Sequence, residues 1–187
     1  MDTMKRRLTS SEAEFLYPIF RSTLPYRRIV CDINSGNVGG QRNSITPTGN
    51  PFFSVHVYCN DFAADSVPFD SKWVFVHELT HVWQYYHQVN LVFSAIGLFV
   101  SNIKCGYGAA YPYDLKSSKD LSGFNIEQQA AIVADYWAMT QGLKPGYNSD
   151  PKPRLTDYVP YIDQLRQSGP PHIPSLHDYD GVFESHA

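Results

Sequence analysis

The stretch "WVFVHELTHVWQYYH", residues 73–87, constrains this chain more than any other. It reads as one unbroken helix, opened by Asp70 or Ser71 as N-cap. At about 100° per residue, His77 and His81 point the same way, with Gln84 and Gln88 beside them. Phe75, Leu79, Val82, Trp83 and Tyr86 gather on the opposite side. That division predicts a helix with an apolar arc in the core and an imidazole-bearing line along a cleft.

His77, Glu78 and His81 spell H-E-x-x-H. In this zinc signature the two imidazoles one turn apart bind the ion, and the glutamate takes a proton from its water. Glu78 falls about 100° from His77, so it flanks the metal instead of competing to bind it. Catalytic zinc takes three protein ligands and leaves a fourth position for water, so one ligand must come from elsewhere. Two spacings compete. His87 stands where the third ligand of H-E-x-x-H-x-x-G-x-x-H falls, but Gln84 replaces the glycine that turns the chain back to the metal. On a continuing helix His87 lies about 80° round from His77 and about 15 Å along the axis. The Met-turn of that pattern also lacks a counterpart, because Met139 sits in a predicted helix. His87 therefore reads as a helix-end or surface histidine. The other candidate is Glu127 in "SGFNIEQQAAIVADYWAM", where Asn125 caps a helix and Gln128 stands three residues on. Ala131, Ala134 and Ala138 share the side of Glu127. Small residues there let two helices approach closely, as a carboxylate needs in order to reach zinc at ~2 Å. Glu127 is the expected third ligand.

Around this centre, "LTSSEAEFLYPIF" offers Thr9 and Glu12 at capping-box spacing and Phe15, Leu16, Ile19 and Phe20 at helical spacing, with Pro18 set to distort or end the helix. "RRIVCDI" (27–33) reads as a strand, 34–50 as a loop and "PFFSVHVYCNDF" (51–62) as a second strand paired with the first. After residue 141 the chain is rich in Pro, Gly and polar residues and reads as loosely ordered, apart from the helical candidate "RLTDYVPYIDQLRQSG". With 187 residues, 43% of them apolar, one core is expected. The predicted fold is a single α+β domain over 1–187, with its catalytic core at about 44–140. A small antiparallel sheet lies beside the His helix, and the Glu helix packs against it.

The remaining composition mostly excludes. A net charge of −3 leaves no surplus to neutralise phosphates, and the basic cluster Lys5-Arg6-Arg7 reads as solvated, so nucleic acid is not an expected partner. Cys31, Cys59 and Cys105 are odd in number and form no C-x-x-C pair, which argues against a disulfide framework and a thiolate metal site. "MDTMKRRLTSSEAEF" has no apolar run behind its charges, so no export signal is read there. The most apolar run, 89–100, is shorter than the ~20 residues of a membrane span.

Four stretches in order, "SITPTGNPFF", "HELTHVWQ", "AYPYDL" and "FNIEQQAAIVADYW", resemble the metallopeptidase-like domains that bacteria attach to type VI secretion spike proteins and Rhs-type toxins. The ligand pattern resembles the gluzincin class of zinc metallopeptidases, which have a zincin-like fold. The resemblance covers roughly residues 44–140. It implies a Zn2+ endopeptidase toxin with His77, His81 and Glu127 on the metal and Glu78 as catalyst, acting on a protein or peptide substrate. It also implies a secretion-spike carrier, a cognate immunity protein and action in the target-cell periplasm. One departure is Ala131, four residues after Glu127, where thermolysin-like enzymes have an aspartate supporting a zinc histidine; Asp135 lies two turns along from Glu127. For the oxyanion, "GYGAAYPYDL" offers Tyr107, Tyr111 and Tyr113, besides His56. Tyr113 is singled out because its loop leads directly into the Glu127 helix. The strand at the cleft edge could bind substrate backbone by strand addition. Two other readings stand beside this one: a zinc-containing binding or structural module without substantial turnover, and a housekeeping peptidase.

Overall fold

Helix α2 (Phe69–Tyr86) runs through the centre of the computed structural model, which describes residues 5–33, 44–89 and 110–173. Pro68 is its N-cap, without a side-chain cap, so the helix starts earlier than Asp70 or Ser71 would have set it. Asp70 falls inside the first turn, where a negative charge favours the helix dipole. From Phe75 to Gln84 every residue is buried, none more than 7% exposed. The apolar arc enters the core as expected, but the polar line is covered too. Its cover is α3 (Ile126–Thr140), whose first turns meet it through Glu127 and Gln129. Asn125 caps α3 by a reciprocal box with Gln128, and Ala130, Ala131, Ala134 and Ala138 are fully buried along it.

Helix α1 (Ser10–Phe20) begins with the Thr9–Glu12 capping box and ends two residues after Pro18. Glu12 is fully buried and does more than cap. Its carboxylate accepts from the backbone N–H of Thr9 and Phe62 and takes both terminal nitrogens of Arg6 at 2.7 and 2.6 Å. Arg6 also donates to the Cys59 carbonyl and lies over the Tyr58 and Phe62 rings. The basic cluster is thus not simply solvated, because Arg6 is half-buried in a fork-shaped ion pair and belongs to a strand.

The sheet differs from expectation. Strands β1 (Arg6–Arg7), β2 (Val30–Ile33) and β3 (Phe52–Phe53) lie in the order β1-β2-β3. The sheet is mixed: β1 pairs antiparallel to β2, with Arg6 opposite Cys31, and β3 pairs parallel to β2, with Asp32 opposite Phe52. The strand read at 51–62 stops at Phe53 because the chain turns there, Ser54 O accepting from the N–H of Val57 and Tyr58. His56 is exposed in that turn. Phe53, Phe62 and Phe75 bring the sheet edge, the following segment and α2 into one aromatic cluster.

Beyond residue 141 the helical candidate forms and packs into the core, and residues 174–187 lie outside the described residues. Helix α4 (Leu155–Gln167) buries Tyr158, Tyr161, Ile162 and Leu165, and its Arg166 donates to the carbonyls of Pro18 and Ile19 at the end of α1. Among the described residues no helix is long and apolar enough to cross a membrane; the run 89–100 is described only at Val89. Cys31 and Cys59 are free thiols, pushed up by burial to about 12 and about 11. Cys105 and Tyr107 lie outside the described residues.

Candidate metal centre

Three ligand atoms converge where α2 and α3 meet. His77 Nε2 lies 3.1 Å from Glu127 Oε2, His81 Nε2 lies 3.4 Å from the same oxygen, and the two imidazole nitrogens are 3.2 Å apart. A tetrahedral ion with ~2.05 Å arms has ligand atoms ~3.3 Å apart. The triangle therefore already has the edge lengths such an ion requires. Two neutral imidazoles and a carboxylate are also a donor set that zinc accepts in catalytic sites. Among the described residues His77, His81 and Glu127 form the group that could hold a metal ion. All three are buried.

Each member is held by its surroundings. Glu127 sits in the first turn of α3, so the capping box that starts the helix also sets its height over α2. His77 is stacked on Trp73 and flanked by Tyr111, while its Nδ1 has no hydrogen-bond partner among the described residues. Ala131 offers that nitrogen no carboxylate. Asp135 is fully buried and acts one step away: it accepts from Trp73 Nε1, Tyr113 Oη and the N–H of Gly146 and Tyr147. It thus steadies the ring on which His77 stacks. His81 Nδ1 lies 2.7 Å from Gln84 Oε1.

Glu78 is buried beside the triangle, and Thr46 Oγ1 donates to its Oε2 at 2.7 Å. The turn that delivers Thr46 is seated on the same helix. Gly49 has φ +75° and lies so close against the Tyr85 ring that a Cβ would collide with it. Asn50 Oδ1 accepts from Val30 N–H, tying the turn to β2. Thr46 was not legible as a site residue; its only sequence signal was the Thr-Pro-x-Gly stretch that precedes the H-E-x-x-H helix.

Tyr113 and His87 bond away from the three ligand atoms. Tyr113 is buried, its hydroxyl bonded to Asp135 and Tyr158, and burial with the Asp135 charge pushes its phenol far up. Tyr111, two residues earlier, is the tyrosine whose ring reaches His77, with centroids 5.5 Å apart. His87 is the C-cap of α2, its ring stacked on Trp83 and its nitrogens facing the carbonyls of Trp83 and Gly169.

The electrostatics of the metal-free centre follow from this packing. Burial raises Glu78; attraction to His81 and His77 and the Thr46 hydrogen bond only partly offset it. Burial also opposes ionisation of Glu127, but His81 and His77 outweigh it and hold the carboxyl far below its usual range. Burial would lower His81, yet Glu127 and then Glu78 raise it from 6.5 to about 9. With a raised folded value, His81 contributes stability that is fully present below pH 6.5 and is lost as pH climbs through about 9. A metal must displace that proton. Uptake of a divalent ion at pH 7 should release about one proton from His81, the release fading as pH passes the raised value. Calorimetry in two buffers of unlike ionisation heat measures it; equal heats at pH 7 would refute it.

The fold and site define a mixed α+β domain carrying a buried two-histidine, one-glutamate cluster beside a second glutamate. No family model matches the chain. Its sequence is 29% identical over 134 residues to the type VI secretion system spike protein VgrG2b of Pseudomonas aeruginosa, covering 71% of this chain. The match spans 13% of that spike protein's length. The solved effector domain of P. aeruginosa VgrG2b superposes with a TM-score of 0.64 at 28% identity, covering 73% of this chain and 75% of that one. The chain is homologous to that effector domain in both sequence and fold.

Proposed function

We propose that this domain is a zinc-dependent endopeptidase serving as a secreted bacterial effector, with His77, His81 and Glu127 as ligands and Glu78 as general base. The observation that carries the reading is the convergence of three ligand atoms at tetrahedral edge lengths with a buried glutamate beside them. Zinc bound there would supply Lewis acidity, lowering the pKa of a water and polarising a scissile carbonyl. Glu78 takes the water proton and passes it to the leaving amine, a role that its burial-raised basicity suits. Thr46 Oγ1 donates to Oε2 and so holds the carboxylate in place for that transfer. The oxyanion falls to a tyrosine of the segment before α3. Tyr113, whose hydroxyl is engaged by Asp135, would do this only by changing partners, and otherwise it positions Trp73 through Asp135.

Homology to an effector domain supports the delivery reading: a spike-type carrier, a protein substrate in the target-cell periplasm and an immunity protein that protects the producer. The test pairs zinc-loaded protein on an unfolded protein substrate with forced expression in bacteria, with and without an added export signal. Cleavage in vitro and growth arrest confined to the exported form are expected. Tight zinc with no cleavage would replace this reading by a binding module. Equal arrest from the cytoplasm would move the target inside.

A further inference from the structure

Hydrogen-bond accounting behind the cluster fixes the direction of every bond. Gln129 Nε2 donates to the Phe124 carbonyl at 2.8 Å, and Gln84 Nε2 donates to the Ile126 carbonyl at 3.0 Å and to Gln129 Oε1 at 2.9 Å. Backbone carbonyls only accept, so neither amide can be turned round: reversing Gln84 would set its oxygen against two other oxygens. Gln84 is fully buried and Gln129 nearly so, so water cannot readily compensate. Gln84 Oε1 is left facing His81 Nδ1 at 2.7 Å, where it can only accept.

We infer that Gln129 and Gln84 are positioning residues of the metal centre, a relay from the backbone of the Glu127 helix that keeps the proton of His81 on Nδ1 and its Nε2 lone pair turned to a divalent ion. This rests on the metal-site reading above and adds what sets the ligand tautomer. It also explains the place of Gln84: the residue standing where another zinc pattern has a glycine is the one that orients the second histidine. The relay begins at the carbonyls of Phe124 and Ile126, on either side of the Asn125 cap and next to Glu127. Seating the helix that carries the third ligand thus also orients the second.

The test uses the folded chain and the metal alone. In Gln84→Leu, close in volume but without the acceptor, affinity for Co(II) in competition with a chelator should fall roughly 10–100-fold, the usual cost of losing such a partner. Gln129→Leu should fall less, because Ile126 O still orients Gln84. The direct readout is histidine nitrogen NMR of the wild-type chain, zinc-loaded and, metal-free, above pH 9. A proton on His81 Nδ1 in both is expected, and its loss to Nε2 in metal-free Gln84→Leu. A wild-type His81 protonated on Nε2 when neutral would overturn the relay, as would unchanged Co(II) affinity in a folded Gln84→Leu. The spectra involve no cleavage and the metal-free one no ion, so an inactive or metal-indifferent domain would fail the functional reading while the relay is still decided.

Discussion

Glu78→Gln is expected to keep the metal and lose the activity. The amide is nearly the same size and still accepts the Thr46 hydroxyl through its oxygen, so the packing at the junction is retained. It cannot take a proton from water. General-base catalysis typically contributes 10²–10⁴-fold, and peptidase turnover should drop by roughly that factor or more. Zinc stoichiometry should stay at the wild-type value, whereas His77→Ala and His81→Ala should lose ion and activity together. Metal analysis beside a cleavage or growth assay reads both quantities from one preparation. Full activity in Glu78→Gln would remove Glu78 from the mechanism.

Glu127→Ala is expected to have the largest effect on the ion itself. Two histidines on one helix hold zinc weakly, and deletion of a ligand should cost more than the ~10–100-fold that loss of a supporting partner costs. Glu127→Asp keeps the charge but withdraws it by one methylene. Since Glu127 Oε2 stands at 3.1 and 3.4 Å from the two imidazole nitrogens, the shorter side chain should leave the ion poorly occupied. His87→Ala should change metal content little, its ring being engaged with the carbonyls of Trp83 and Gly169 at the helix end. Zinc retained in Glu127→Ala and lost in His87→Ala would reverse the assignment and require α2 to break near Gln84.

What could be read from the sequence divides along a physical line. Local signals were legible because they are written in consecutive residues. The capping boxes at Thr9–Glu12 and Asn125–Gln128 start helices where expected, and the 3.6-residue period placed Phe75, Leu79 and Val82 in the core. The alanine side of α3 likewise anticipated its close approach to α2. Long-range partners were not legible. Nothing near Arg6 announces that Glu12 will take its guanidinium, or that two residues before a helix will form a strand with Cys31 opposite. The alternation at 51–62 reports a local preference that the Ser54 turn overrides. Thr46 reaches Glu78 from 32 residues away and Gln129 reaches Gln84 from 45, whereas Gln84, three residues from His81, was placed beside the histidines by the helical period. Tyr113 was singled out by its proximity in sequence to the Glu127 helix, and its bond to Asp135, 22 residues away, is one that the sequence does not announce.

The four bonds that end on Asp135 have a thermodynamic consequence. They join Trp73 of α2, the 146–147 turn and Tyr113, and Tyr113 hands on to Tyr158 of α4. Opening α2, the Tyr113 segment or the 146–147 turn would leave the buried Asp135 carboxylate short of a donor, and opening α4 would strip Tyr113 of Tyr158, so these segments are expected to open together. An ion that binds only the closed form must then protect all of them alike. The amides of α4, which carries no ligand, become a gauge of site occupancy: their hydrogen exchange should slow with the free energy of metal binding.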